Sequence, residues 1–151
     1  MRSLFDRKTG QLMLAAAKRE KEDWIDGESA EKFSCEDLQM IDREWLDASG
    51  GQFGFSVQLA IYKQTGNSIG DYNSQAYDRF GDAVGWRVNG NWKTYYDLMW
   101  STNAPISAPK GHLPGTPAGL WWEGNGVGRV LWVMGGFFLS RSRVAAVNCL
   151  L

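Results

Sequence analysis

One histidine, His112, stands in the run Lys110-Gly111-His112-Leu113-Pro114. An imidazole there can hydrogen-bond a ligand or reach a metal carried inside one; the plainer role is that of a loop residue. No Ser/His/Asp or Cys/His set accompanies it. Carboxylates are plentiful, but none stands apart from a solvated helix face. Gly124-Asn125-Gly126-Val127-Gly128 imitates a phosphate loop, yet it lacks the Walker spacing and its Lys-Ser/Thr, and reads as following no strand. Aromatic residues carry more information. Phe53 and Phe55 lie in Phe53-Gly54-Phe55-Ser56-Val57-Gln58, Trp86 and Trp92 bracket an Asn-Gly pair, and Trp100 and the adjacent Trp121-Trp122 follow. Arg87, Lys110 and Arg129 stand beside them. That inventory suits a planar ligand with apolar faces and an anionic rim. Aromatic and aliphatic side chains would take its plane, and cations its carboxylates. The expectation is binding rather than catalysis, with no metal set built by the protein itself.

The bounds from composition agree. At 151 residues the chain reads as one domain, 1–151, long enough to bury a real core. A net charge of −1 gives no case for nucleic acid or an anionic membrane. Cys35 and Cys149 have no metal spacing, and the default expectation is reduced, buried thiols. The start, Met1-Arg2-Ser3-Leu4-Phe5, runs at once into charged residues and reads as no signal segment. The longest apolar run, Val130 to Leu139, falls short of the ~20 residues that cross a bilayer. It reads as a core helix, the alternative being contact with a membrane surface.

The elements that must position these residues are mainly helical. Thr9 to about Lys21 has good helix formers at apolar spacing. Trp24 to Lys32 is a loop or a short helix. Ser34 is an N-cap, with Glu36 and Asp37 in the first turn and Leu38, Ile41 and Trp45 as a core stripe, and Gly50-Gly51 ends that helix. The segment after Phe53 is ambiguous: Phe53, Phe55, Val57 and Leu59 alternate as in a strand, while Ser56 could cap a helix to Lys63. Thr65 to Asp71 is turn-rich, and Asn73 to Phe80 is a short helix with Tyr77 and Phe80 inward. Asn89-Gly90 between Trp86-Arg87-Val88 and Asn91-Trp92 predicts a hairpin. Ser101 to Gly128, rich in Pro, Gly, Ala and Ser, reads as a long mobile loop with few anchors, and Val130 to Val147 as a last helix.

At these residues the sequence resembles the Genomes Uncoupled Four family of porphyrin-binding proteins. The resemblance rests on Ile41-Asp42-Arg43-Glu44-Trp45, on Ser49 through Gln58, on Val84-Gly85-Trp86-Arg87, on Gly111-His112-Leu113-Pro114, and on the closing Ser140-Arg141 and Cys149. It covers nearly the whole chain. It implies a mainly α, cupped-hand domain with a small hairpin and a long pigment-binding loop. It further implies that the ligand is protoporphyrin IX or Mg-protoporphyrin IX, and that the partner is the large porphyrin-binding subunit of magnesium chelatase, which the protein stimulates without catalysis in chlorophyll synthesis. Expected with it are a monomer in the cyanobacterial cytoplasm or plastid stroma, and at most peripheral contact with the thylakoid membrane. A second reading is a sensory or protein-interaction module of signalling proteins that uses the same domain.

On this resemblance the porphyrin face falls to Phe53, Phe55, Val57, Trp86, Trp100, Leu113, Trp121 and Trp122, and the propionates to Arg87, Lys110 and Arg129. Three departures stand out. The family domain opens with a further helix, of which only Asp6 and Thr9 match the tail. Pro105 to Pro109 looks like a short insertion before the His112 loop. Glu44 replaces an apolar residue before Trp45, and would need a partner if that face were buried.

Overall fold

A computed structural model describes residues 2–25, 27–30, 33–93, 97, 108–115 and 148–151. Among them the chain is mainly helical. In order come α1 (Arg2–Ala16), α2 (Gly27–Ala30), α3 (Cys35–Ser49), α4 (Phe55–Gln64), α5 (Ser74–Val84) and a two-strand hairpin, β1 (Arg87–Val88) with β2 (Asn91–Trp92). The expected last helix over Val130 to Val147, and Trp100, Trp121, Trp122 and Arg129, lie outside the described residues.

α1 starts earlier than its periodicity suggests because Asp6 and Thr9, polar on paper, turn into the interior. It also stops earlier. Lys18 takes φ 57, and Arg19 N–H bonds back to the Leu14 carbonyl at 2.8 Å, a left-handed closure that satisfies the last carbonyls. α3 ends as its sequence says at both termini. Ser34 accepts from Asp37 N–H, and Gly50, at φ 62, is the left-handed C-cap. Its stripe of Leu38, Ile41 and Trp45 is buried, while Glu44 is exposed and needs no buried partner.

The ambiguous segment is a helix, and its N-cap is Gly54 rather than Ser56. The strand-like alternation has a simple cause. α4 is covered on two sides, by α5 and by residues 108–115, so Phe55, Val57, Leu59 and Tyr62 are all buried although they span more than one stripe. α5 begins at Asn73, whose side chain accepts from Ala76 N–H, and ends at Gly85 with φ 75. The hairpin forms where expected. Asn89 (φ 52) and Gly90 (φ 78) make the left-handed two-residue turn that matches strand twist, with Arg87 opposite Trp92. Trp92 stacks on Tyr77 at 5.3 Å and lies across Gly81, where a Cβ would collide with its ring.

The core runs from Met13 and Leu14 through the α3 stripe to Phe55, Leu59, Tyr62, Tyr77, Phe80 and Trp86. Its rings meet edge to face. Trp45 packs on Phe5 and Phe53, and Phe80 on Tyr62 and Trp86, at 5.4–6.4 Å, the arrangement that ring quadrupoles favour.

The thiol expectation fails. Cys35 and Cys149 form a disulfide across a sequence separation of 114 residues, Cys35 is exposed and Cys149 half-buried. Spacing along the chain carries no information about such a pairing; it requires α3 and the tail to be adjacent in space.

Candidate functional site

Two short segments singled out by sequence, 52–58 and 108–115, are fastened to each other. Gly54 N–H donates to the Leu113 carbonyl at 3.1 Å, and Gly111 N–H to the Gln52 carbonyl at 2.9 Å. The Gln52 amide donates to the Ala108 carbonyl at 2.7 Å. Gln58, fully buried, donates through Nε2 to the carbonyls of Gly111 and Pro114, both at 3.0 Å. Its Oε1 is buried without a hydrogen-bond partner. Each bond replaces water on a backbone group that would otherwise be stranded, and is worth about 0.5–1.5 kcal/mol.

The rest of the framework closes on the same loop. Trp86 Nε1 donates to the His112 carbonyl at 2.9 Å. His112 Nδ1 lies 2.7 Å from the Val84 carbonyl. A carbonyl can only accept, so Nδ1 carries the ring proton. From the other side Gly115 N–H donates to the Asp6 carboxylate at 2.8 Å. Gly111 has φ 77, and a Cβ there would lie 2.8 Å from Ile61 Cδ1, so glycine alone lets the loop approach α4 so closely. The expectation of a loop poor in anchors therefore fails for 108–115.

The Ile41-Asp42-x-x-Trp45 motif is explained by the same framework. Ile41 is core. Asp42, buried on α3, accepts from Ser56 N–H at 2.9 Å, capping α4 from another helix because Gly54 has no side chain to do so. Its negative charge faces the positive end of that helix. Trp45 Nε1 donates to Thr9 Oγ1 at 2.9 Å, and Thr9 in turn donates to the Phe5 carbonyl at 3.0 Å. The sequence places Asp6, Asp42 and Gln58 in family motifs but gives them no role of their own. Read from sequence, the carboxylates belong to solvated faces, whereas Asp6 and Asp42 are buried. The one available signal was the motif spacing, which sets Asp42 one residue after a core position.

The predicted site residues divide accordingly. Phe53, Phe55, Trp86 and Leu113 are inside the core cluster, and Val57 is buried beside them. Arg87 is engaged by Asp82 through Nη1 at 2.9 Å and by Asp78 at 3.5 Å. Lys110 is exposed. His112 is buried and serves the loop. The described residues hold no group of three or more His, Cys, Asp or Glu placed to bind a metal, and no helix among them is long and apolar enough to cross a membrane.

Known proteins resemble this chain. The GUN4-like family model matches residues 4–127. The Ycf53-like protein of Synechocystis sp. is 29% identical over 102 residues, 67% of this chain and 39% of that protein. The chloroplastic tetrapyrrole-binding protein of Arabidopsis thaliana is 34% identical over 93 residues, 56% of this chain and 31% of that one. The chain thus matches well under half the length of these relatives. The ligand-free structure of Arabidopsis thaliana GUN4 has the same fold, with a TM-score of 0.60 at 24% identity over 96% of this chain and 81% of that one. By the extent of the family match, the chain belongs to the GUN4-like family.

Proposed function

We propose that this chain is a non-catalytic tetrapyrrole-binding regulator. It takes protoporphyrin IX or Mg-protoporphyrin IX and delivers its effect to the large porphyrin-binding subunit of magnesium chelatase, as a monomer in a cyanobacterial cytoplasm or plastid stroma, in at most peripheral contact with the thylakoid. One observation carries the reading: in a GUN4-like chain, 52–58 and 108–115 are locked together by Gly54, Gln52 and Gln58. A lock of this kind prepares a rigid base from which the chain continues toward Trp121 and Trp122, and a preformed base lowers the ordering cost of binding. An Arabidopsis relative bearing the name tetrapyrrole-binding protein supports the ligand class.

The described side chains fit the role of a base. Phe53, Phe55, Val57, Trp86 and Leu113 are packed inside, so they stiffen the face from beneath, while direct contact falls to Trp100, Trp121 and Trp122. Arg87 has two carboxylate partners, which leaves Lys110 and Arg129 as the propionate cations. The test is titration of the full chain with protoporphyrin IX and with its Mg complex, followed by tryptophan quenching, and then addition to reconstituted magnesium chelatase. Saturable quenching with faster magnesium insertion is the expected result. Saturable quenching with no effect on insertion removes the chelatase role and leaves the sensory reading; no saturable quenching removes the tetrapyrrole.

A further inference from the structure

The turn of the hairpin is Asn89-Gly90, and both residues are exposed. Among the described residues no other asparagine precedes a glycine. The space over Gly90 is open: a Cβ built there would meet only Arg87 Nη2, at 3.8 Å. The Asn89 carbonyl accepts from Asn91 Nδ2 at 3.2 Å, which draws electrons from its carbon. The strands on either side have two residues each. So short a hairpin opens at little cost, and opening frees the Asn89 side chain to fold back on the next peptide. Asparagine is a labile side chain, and glycine is the following residue that obstructs such folding least.

We propose that Asn89-Gly90 is a site of spontaneous deamidation, whose isoaspartyl product loosens the hairpin from α5 and is a substrate for an isoaspartyl carboxyl methyltransferase. The Gly90 amide nitrogen gives its proton to water and attacks Asn89 Cγ. The new N–Cγ bond closes a succinimide, and the side-chain nitrogen takes a proton from water and leaves as ammonia. Water then opens the ring. Attack at Cγ breaks the new bond and gives aspartate. Attack at the main-chain carbon, the one that Asn91 polarises, breaks its bond to Gly90 nitrogen and gives isoaspartate with a free α-carboxylate. The methyltransferase moves a methyl group from S-adenosylmethionine to that carboxylate, and loss of methanol returns the succinimide. The two products differ in consequence. Aspartate leaves the turn intact, because Asp-Gly makes the same left-handed turn as Asn-Gly. Isoaspartate adds a methylene to the main chain between strands whose register is Arg87 with Trp92 and Val88 with Asn91. Beyond them Lys93 N–H donates to the Trp86 carbonyl at 2.8 Å. One extra main-chain atom shifts that register, and Trp92 loses its seat on Tyr77 and Gly81.

The site stands apart from tetrapyrrole binding, and its test uses none. The full chain is stored in neutral buffer and sampled over weeks. Peptide mapping by mass spectrometry follows each asparagine separately, so Asn125-Gly126 is counted on its own. Isoaspartate at 89 is identified by methyl transfer from S-adenosylmethionine, and the seat of Trp92 is followed by near-UV dichroism. Asn73 and Asn91 are exposed but precede Ser and Trp. Asn89 should lose ammonia roughly tenfold faster than either, because glycine alone leaves the attacking nitrogen unobstructed. Isoaspartate should exceed aspartate at 89, and the near-UV signal should fall in proportion to it. Asn89→Gly keeps a favoured Gly-Gly turn and has no side-chain amide, so it should hold its signal over the same period. Asn89→Asp should start with that signal intact. Conversion of Asn89 no faster than that of Asn73 and Asn91, or to aspartate alone, would overturn the proposal. So would isoaspartate at 89 in most chains with the near-UV signal unmoved, or an equal loss of signal in Asn89→Gly.

Discussion

Gly54 stands at φ 140, where a Cβ would lie 2.7 Å from Asp42 Oδ1. Both the backbone and the capping carboxylate therefore oppose any side chain, and the strained conformation alone costs on the order of 1–3 kcal/mol. Gly54→Ala is expected to lower stability by about 2 kcal/mol or more in urea unfolding, and a change under about 0.5 kcal/mol would mean that α4 finds another cap. Tyr62 gives a prediction with a sign. Burial, and then the charge of Asp71, push its hydroxyl up to about 12, against about 10 in an unfolded chain. Between those values the folded state holds the proton that the unfolded state has lost. The contribution is whole below pH 10 and is lost as pH rises toward 12. Tyr62→Phe should flatten that alkaline decline in unfolding midpoint, and identical pH profiles for variant and wild type would contradict it. At the proposed pigment face, Trp121→Ala with Trp122→Ala should weaken porphyrin binding ten- to a thousandfold, a loss of about 1.4–4 kcal/mol, as for contact aromatics that act as hot spots. Unchanged affinity in a folded double variant would remove that pair from the face.

Elements transmit these residue effects, and α5 with its hairpin shows how. A two-strand hairpin is marginal by itself. Here it is held by the Trp92–Tyr77 stack, by the Trp92 indole donating to Asp78 at 3.3 Å, and by the Arg87 pairs to Asp78 and Asp82. Gly81→Ala should unseat Trp92 and weaken its near-UV dichroism while far-UV helicity changes little; retention of the full near-UV signal would show that α5 can shift to accommodate the methyl. Segment 108–115 is held in the same manner. The amides of Gly54, Gly111 and Gly115 should be protected from hydrogen exchange with or without pigment, and ligand-dependent protection confined to Gly111 and Gly115 would show that this segment is ordered by the pigment instead. The elements also show what was legible. Caps and turns are local, so Ser34, Gly50, Asn73 and Asn89-Gly90 could be read directly. α4 could not be assigned because burial on two sides erases its period. The site residues were legible as types but not as places. Phe55, Trp86 and Leu113 have the chemistry of ligand contacts and equally that of a core, and only tertiary structure decides between them. The motifs that reveal the family, Ile41-Asp42-x-x-Trp45 and Gly111-His112-Leu113-Pro114, prove to hold elements together. Bonds such as Gln58 to Pro114 or Asp6 to Gly115 span 56 and 109 residues, and no local pattern announces them.

At the scale of the molecule, stability and proposed function meet in one quantity. The described core is continuous from α1 to the hairpin and the 108–115 loop, so distortion at one end is felt at the other, and a ligand seated on the folded form alone stabilises the whole. The bridge from Cys35 to Cys149 encloses 53–58, 86–87 and 108–115, and reduction should lower global stability by ~2–4 kcal/mol, as for other long-loop disulfides. Protoporphyrin IX should act in the opposite direction. At free pigment about a hundredfold above its dissociation constant, preferential binding to the folded chain contributes ~2.7 kcal/mol. For a chain of this size each kcal/mol moves the midpoint by about 2–4 °C, so Tm should rise by roughly 5–10 °C, in the oxidised and the reduced protein alike. The comparison separates two kinds of quenching. A pigment that merely adsorbs to exposed aromatics binds the unfolded chain as well, and quenches tryptophan without raising Tm. A pigment held on the rigid base of 52–58 and 108–115 raises it in proportion to the logarithm of its concentration. Saturable quenching with an unmoved midpoint would therefore show that the tetrapyrrole is not held by the folded structure.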